Sequence, residues 1–128
     1  MAKKAFKVLS WRELRRETSK EHGITVVIGA PSKDGEDWKC PFQLRGLEEE
    51  IRYAHGVDSL QALQEAVYGA GLLLRRSGVK LRWVGEIGWL GFPMRVPDAH
   101  GQRFTRRIER MIEQEQKALF DRNKNRKS

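Results

Sequence analysis

Cysteine is almost absent from this sequence: among 128 residues there is one, Cys40. No disulfide can close within the chain, and neither a Cys-x-x-Cys redox pair nor a cysteine-rich zinc cluster can be assembled. Such usage suits a reducing compartment, so a cytoplasmic protein is expected. Histidine is scarce too. His22, His55 and His100 lie far apart, with no His-x-x-x-His or His-Glu-x-x-His spacing, so neither a metal nor a cofactor is expected. No apolar run approaches the roughly 20 residues that span a bilayer, and no apolar stretch of signal-peptide length follows the basic start Met1-Ala2-Lys3-Lys4. A membrane partner and export by that route are therefore not expected. Gly85-x-x-Gly88-x-x-Gly91 lacks the Gly-Lys-Ser/Thr end of a Walker loop and does not fit the GxGxxG dinucleotide fingerprint, which makes it a weak phosphate cradle. No internal repeat is present.

Positive charge is abundant but unevenly placed. Residues 1–20 carry seven Lys/Arg against two acids and residues 103–128 nine against four, while the interval between holds nine against eleven. The net charge of +8 thus resides at the two ends. A basic tail steers a protein toward any polyanion, or simply keeps it soluble.

The core of the chain alternates. Gly23-Ile24-Thr25-Val26-Val27-Ile28-Gly29-Ala30-Pro31 is β-branched and predicts a strand with Ile24, Val26 and Ile28 on one face. Trp38, Cys40, Phe42 and Leu44 alternate with Lys39, Pro41, Gln43 and Arg45, the pattern of a sheet with one face on a core. Pro41 cannot donate to a ladder and points to an edge strand or an outward side. Turn residues around Asp34-Gly35 make a hairpin of these two strands. Residues 48–55 predict a further strand, with Ile51, Tyr53 and His55 facing inward. Over 8–18, Ser10-Trp11-Arg12-Glu13 has the form of a capping box, but a strand is preferred.

Asp58 is a good helix N-cap, and Gln61 is placed to reach back to the cap's own N–H. The helix runs to about Ser77, with an apolar stripe of Leu60, Leu63, Val67, Ala70 and Leu74 and a stop at Gly78. Gly69 and Gly71 each cost about 1 kcal/mol of helix propensity, which close packing would offset. Val79–Val84 predicts a returning strand, and 103–120 a second helix with Phe104, Ile108, Met111, Ile112 and Leu119 at helical spacing. Residues 121–128 lack apolar anchors and are expected to be a disordered basic tail. The order β-β-β-β-α-β-α predicts an α+β fold, an antiparallel meander packed against a central helix with a basic C-terminal helix, in a single domain over 1–120.

The stretch Gly56-Val57-Asp58-Ser59-Leu60-Gln61-Ala62-Leu63 resembles a family of small bacterial proteins classed as a domain of unknown function. Ile28-Gly29-Ala30-Pro31, Cys40-Pro41-Phe42 and Gly91-Phe92-Pro93 resemble it too, in the same order. The likeness covers roughly residues 8–94 and implies a fold, not an activity; residues 102–128 lie outside it.

A Cys40–His55 nucleophilic pair is conceivable, since both are placed on the core face, but a buried thiol packing as a small hydrophobe is the weightier reading. The clusters Asp34, Glu36, Asp37 and Glu48-Glu49-Glu50 read as charged turns and solvated faces. Trp89 and Phe92, in a glycine-rich loop, form the candidate contact patch. The expected role is a non-catalytic protein-binding module, accessory or immunity-like. It would bind through Trp89, Phe92 and the second helix, which is also suited to pairing two copies in a homodimer. The alternative is a nucleic-acid-binding accessory protein using Arg103, Arg106, Arg107, Arg110 and the tail on phosphates.

Overall fold

The computed structural model describes residues 6–17, 22–84, 86–87, 90–95 and 100–126. Strands β1 (Val8–Arg16), β2 (Ile24–Gly29), β3 (Ser32–Asp34), β4 (Asp37–Arg45) and β5 (Ile51–Gly56) precede helix α1 (Ser59–Ser77). After it come β6 (Leu81–Trp83), β7 (Glu86–Ile87) and helix α2 (Gln102–Arg126). The fold is α+β, with two short strands, β3 and β7, added to the expected order. Contacts divide the chain into two compact units, residues 1–94 and 95–128, where the sequence reading draws one domain to residue 120.

In the first unit β1, β2, β4 and β5 form an antiparallel meander, and β6 returns to pair with β1. The β3–β4 hairpin pairs Asp34 with Asp37, and Gly35 takes φ 64° at the first central position of the link, as a type II′ turn requires. Strand β4 is internal rather than an edge, bonded to β5 on one side and to β2 and β3 on the other. Pro41 is tolerated because it falls between Phe42, which pairs with β2, and Lys39, which pairs with β3. Its missing N–H therefore coincides with the break between those two partners.

Helix α1 begins as its sequence dictates. Asp58 Oδ1 accepts from the Gln61 amide at 2.7 Å, and Gln61 Oε1 accepts from the Val57 amide at 2.7 Å, one residue beyond the cap's own N–H. Gly78 closes the helix at φ 72°. The buried ridge, however, is Ala62, Ala66, Ala70 and Leu74, spaced four apart, while Leu60 is 61% exposed and Leu63 and Val67 are half-buried. The helix lies so close to the sheet that methyl groups fill the contact: a Cβ at Gly69 would stand 3.3 Å from Phe42 Cζ, and one at Gly56 would stand 2.5 Å from the Ala62 nitrogen. That proximity also sets the β5 register. Ala54 pairs with Cys40 and Gly56 with Trp38 on the helix side. Ile51, Tyr53 and His55 therefore take the open face, the reverse of the sequence expectation.

Because α1 lies mainly over β4 and β5, the β1 side of that face is left to other residues. The returning hairpin carries Val84 at φ 47°, a left-handed conformation that costs a β-branched residue on the order of 1–3 kcal/mol.

In the second unit α2 starts with the Thr105 amide and hydroxyl both donating to the Gly101 carbonyl. It continues to Arg126, past the expected boundary at residue 120, so that 121–126 are helical and not a disordered tail. Arg122 and Lys124 there offset the negative end of the helix dipole, an arrangement that favours the extra turns. Among the described residues no helix is long and apolar enough to cross a membrane.

Replacing Val84 with Asn gives the hairpin an Asn-Gly link with a residue at ease at positive φ. Val84→Asn is expected to stabilise the protein by about 1 kcal/mol, measured as a raised urea midpoint at unchanged slope.

Candidate binding site

The uncovered part of the helix-side face is organised around Arg12. Strand β1 pairs Arg12 with the buried Val26, which turns its side chain toward the α1 side of the sheet. There the guanidinium carbon lies over the Trp83 ring, 4.0 Å from its centroid, and over the Phe92 ring at 4.9 Å. Arg12 Nη1 donates to the Leu90 carbonyl at 3.1 Å. Cation–π contacts of this kind contribute roughly 0.5–2 kcal/mol, more as water is excluded. One side chain thus ties β1 to β6 and to the 90–93 segment.

Two glycines let that segment come close. A Cβ at Gly91, which has φ 75°, would stand 2.5 Å from Trp83 Cε3 and 2.8 Å from Arg12 Nη1. A Cβ at Gly71, buried on α1, would stand 2.6 Å from Phe92 Cβ. Gly71 therefore has the packing reason that its helical position demands.

Between β1, β2, α1 and this segment lies a hollow of about 330 Å³. Leu9, Val26, Ile28, Leu63, Val67 and Phe92 supply its apolar lining, with Arg12 and Ser10 as polar members. Leu63 and Val67 border it because the alanine ridge, rather than the leucines, takes the sheet contact. A shift of register between Val8 and Ser10 breaks the alternation of β1 there, and Leu9 and Ser10 both line the hollow. A larger depression, about 550 Å³ between Arg106, Glu109, Arg110 and Glu113, has a single helix for its wall.

Among the described residues no strand pairs with the adjoining edge of β1 before Arg15. Among the described residues β6 pairs with β1 at Arg15 and Arg16, and Glu17 donates to the Lys80 carbonyl. By alternation the backbone groups of Trp11 and Glu13 face the same side, beyond the end of β6. Val8, Leu9 and Trp11 are 41%, 53% and 64% exposed.

A family model for a domain of unknown function, DUF6968, matches residues 10–94. The chain belongs to that family. Curated proteins and solved structures give no match. The DUF6968 stretch ends where the first unit ends, at Met94, and contains Arg12, Trp83, Gly91 and Phe92.

The residues singled out in the sequence fall in different places. Phe92 is half-buried beneath Arg12 rather than an exposed patch, and Trp89 lies outside the described residues. Arg103, Arg106, Arg107 and Arg110 are exposed on α2, in the second unit. Cys40 and His55 are not brought together. The thiol points into the core and its Sγ donates to the Gly29 carbonyl at 3.2 Å, whereas His55 pairs with Lys39 on the opposite face and stands 3.6 Å from Asp34. Glu48 is engaged by Arg52 at 2.5 and 3.1 Å, and that guanidinium holds the carboxyl below its ordinary range. Among the described residues no group of three His, Cys, Asp or Glu is placed to hold a metal. Leu9, Arg12, Leu63 and Val67 were missed in the sequence, where an arginine within an alternating strand looks like any solvated side chain.

Burial pushes the Cys40 thiol up to about 11, so it is neutral and unreactive in the folded protein. The unfolded thiol ionises near pH 8.5. The neutral form favoured by the fold therefore contributes its full stability below about pH 8.5, and that contribution is lost as pH rises toward about 11. Chemical denaturation of wild type and Cys40→Ala between pH 7 and pH 11 is expected to show a steeper alkaline loss in wild type; parallel curves contradict it.

Proposed function

We propose that this protein is a non-catalytic module that holds an extended segment of a partner protein against the hollow and the adjoining edge of β1. The observation that carries this reading is the juxtaposition itself: an apolar hollow beside a strand whose outward backbone groups have no neighbouring strand among the described residues. Strand addition supplies main-chain hydrogen bonds, and alternate side chains of the added segment enter pockets on one face. At about 330 Å³ the hollow stands at the floor of the range for small-molecule sites and suits one or two apolar side chains. The exposed Val8, Leu9 and Trp11 extend the apolar contact along the edge. The separation of Cys40 from His55 and the engagement of Glu48 by Arg52 favour binding over chemistry.

A second reading, nucleic-acid binding, is favoured by α2. At 100° per residue Arg103, Arg106, Arg107, Arg110 and Lys117 fall on one side of the helix, a stripe suited to a phosphate backbone. The acids Glu109 and Glu113 border that stripe, and for this reason the hollow is preferred.

A displayed random-peptide library distinguishes the two. Wild type is expected to enrich peptides with apolar residues at alternate positions, and Leu9→Arg is expected to lose them at least tenfold. Conversion of Arg103, Arg106, Arg107 and Arg110 to Gln should leave the selection unchanged. Equal recovery by Leu9→Arg, or loss on changing the α2 arginines, contradicts the reading.

A further inference from the structure

We infer that the segment received by the hollow carries a carboxylate beside its apolar residue, and that Arg12 reads it. This rests on the docking reading above and adds the chemistry of the ligand. Arg12 is half-buried and lines a hollow whose other described lining is apolar apart from Ser10. Among the described residues its guanidinium makes one hydrogen bond, to the neutral Leu90 carbonyl, and no ion pair. A cation partly withdrawn from water without a counter-ion is costly, and an anion supplied by a ligand removes that cost.

The geometry restricts how the anion can approach. The guanidinium carbon lies over the Trp83 and Phe92 rings, which leaves those ring faces closed to a ligand, and Nη1 donates to the Leu90 carbonyl. The remaining in-plane donors, on Nε and Nη2, form the fork that matches a carboxylate. A carboxylate held there has its neighbouring carbons against Leu9, Val26, Leu63 and Val67. The group recognised is therefore an apolar C-terminal residue with its own carboxylate beside it, since an acidic side chain one residue away in an extended segment points to the opposite face. A charge-assisted hydrogen bond is worth roughly 1.5–3 kcal/mol, so the acid should bind at least about tenfold more tightly than the corresponding amide.

Three small probes test this on the full chain by nuclear magnetic resonance titration: N-acetyl-leucine, N-acetyl-leucinamide, and the amide of N-acetyl-glutamyl-leucine. All carry the same apolar group. Resonances of Leu9, Leu63, Val67 and Phe92 are expected to shift, with N-acetyl-leucine at least about tenfold tighter than N-acetyl-leucinamide and than the glutamyl probe. Preference for N-acetyl-leucine supports the inference, whereas preference for the glutamyl probe, whose carboxylate is on a neighbouring side chain, overturns the terminal carboxylate. Arg12→Met should bring N-acetyl-leucine down to the affinity of the amide. Should Arg12→Met fail to fold, the comparison of acid with amide on wild type decides alone. Equal affinity for all three probes at the hollow overturns the carboxylate while the docking reading stands. Shifts confined to other residues, or none at the hollow, overturn both.

Discussion

A single guanidinium ties together the helix-side face of the sheet beside β1. Arg12 lies over Trp83 and Phe92 and bonds the Leu90 carbonyl, which joins the first strand of the sheet to a strand and a segment some 70–80 positions later in the chain. Without that tie, the 90–93 segment is left with the core packing of Leu90 and Phe92 and the close approaches of Phe92 to Gly71 and of Gly91 to Trp83, and one wall of the hollow depends on it. The contact is at once structural and chemical. The rings keep the cation at the hollow's lining, where among the described residues it is the charged member.

The second constraint is the closeness of α1 to the sheet. Packing an alanine ridge rather than a leucine ridge brings the helix down over β4 and β5, and small residues at 54 and 56 of β5 accept it. Leu63 and Val67 are thereby displaced to the flank, where they line the hollow. The same choice sends Ile51, Tyr53 and His55 to the open face, which separates His55 from Cys40. The packing that fixes the fold thus creates the hollow and removes the most plausible nucleophilic pair.

Much of the fold was legible because period-two and helical patterns are local. The strands around Val26 and Phe42, the Asp58 cap and the Gly78 stop follow from residues near one another in sequence. The site was less legible because it depends on register. The inward face of β5 cannot be chosen from its own alternation when the partner helix admits only small side chains. The expected α1 stripe holds at Ala70 and Leu74 but not at Leu60, because hydrophobicity alone favours Leu60 over Ala62 whereas proximity favours the reverse. Nothing local marks Arg12; its role appears once β1 is paired and Trp83 and Phe92 arrive from the far end of the unit. The glycines offered the best available signal, since Gly71 in a helix and Gly91 before Phe92 both announce close contacts.

The central claim is that Arg12 stacks on Trp83 and Phe92 in the folded protein. The Arg12 Cδ-proton chemical shifts test this most directly, because ring currents move protons held over an aromatic face upfield. The account predicts Arg12 Hδ resonances upfield of those of the other arginines, moving back on Trp83→Leu substitution. Arg12 shifts like those of an exposed arginine in the native wild type contradict it.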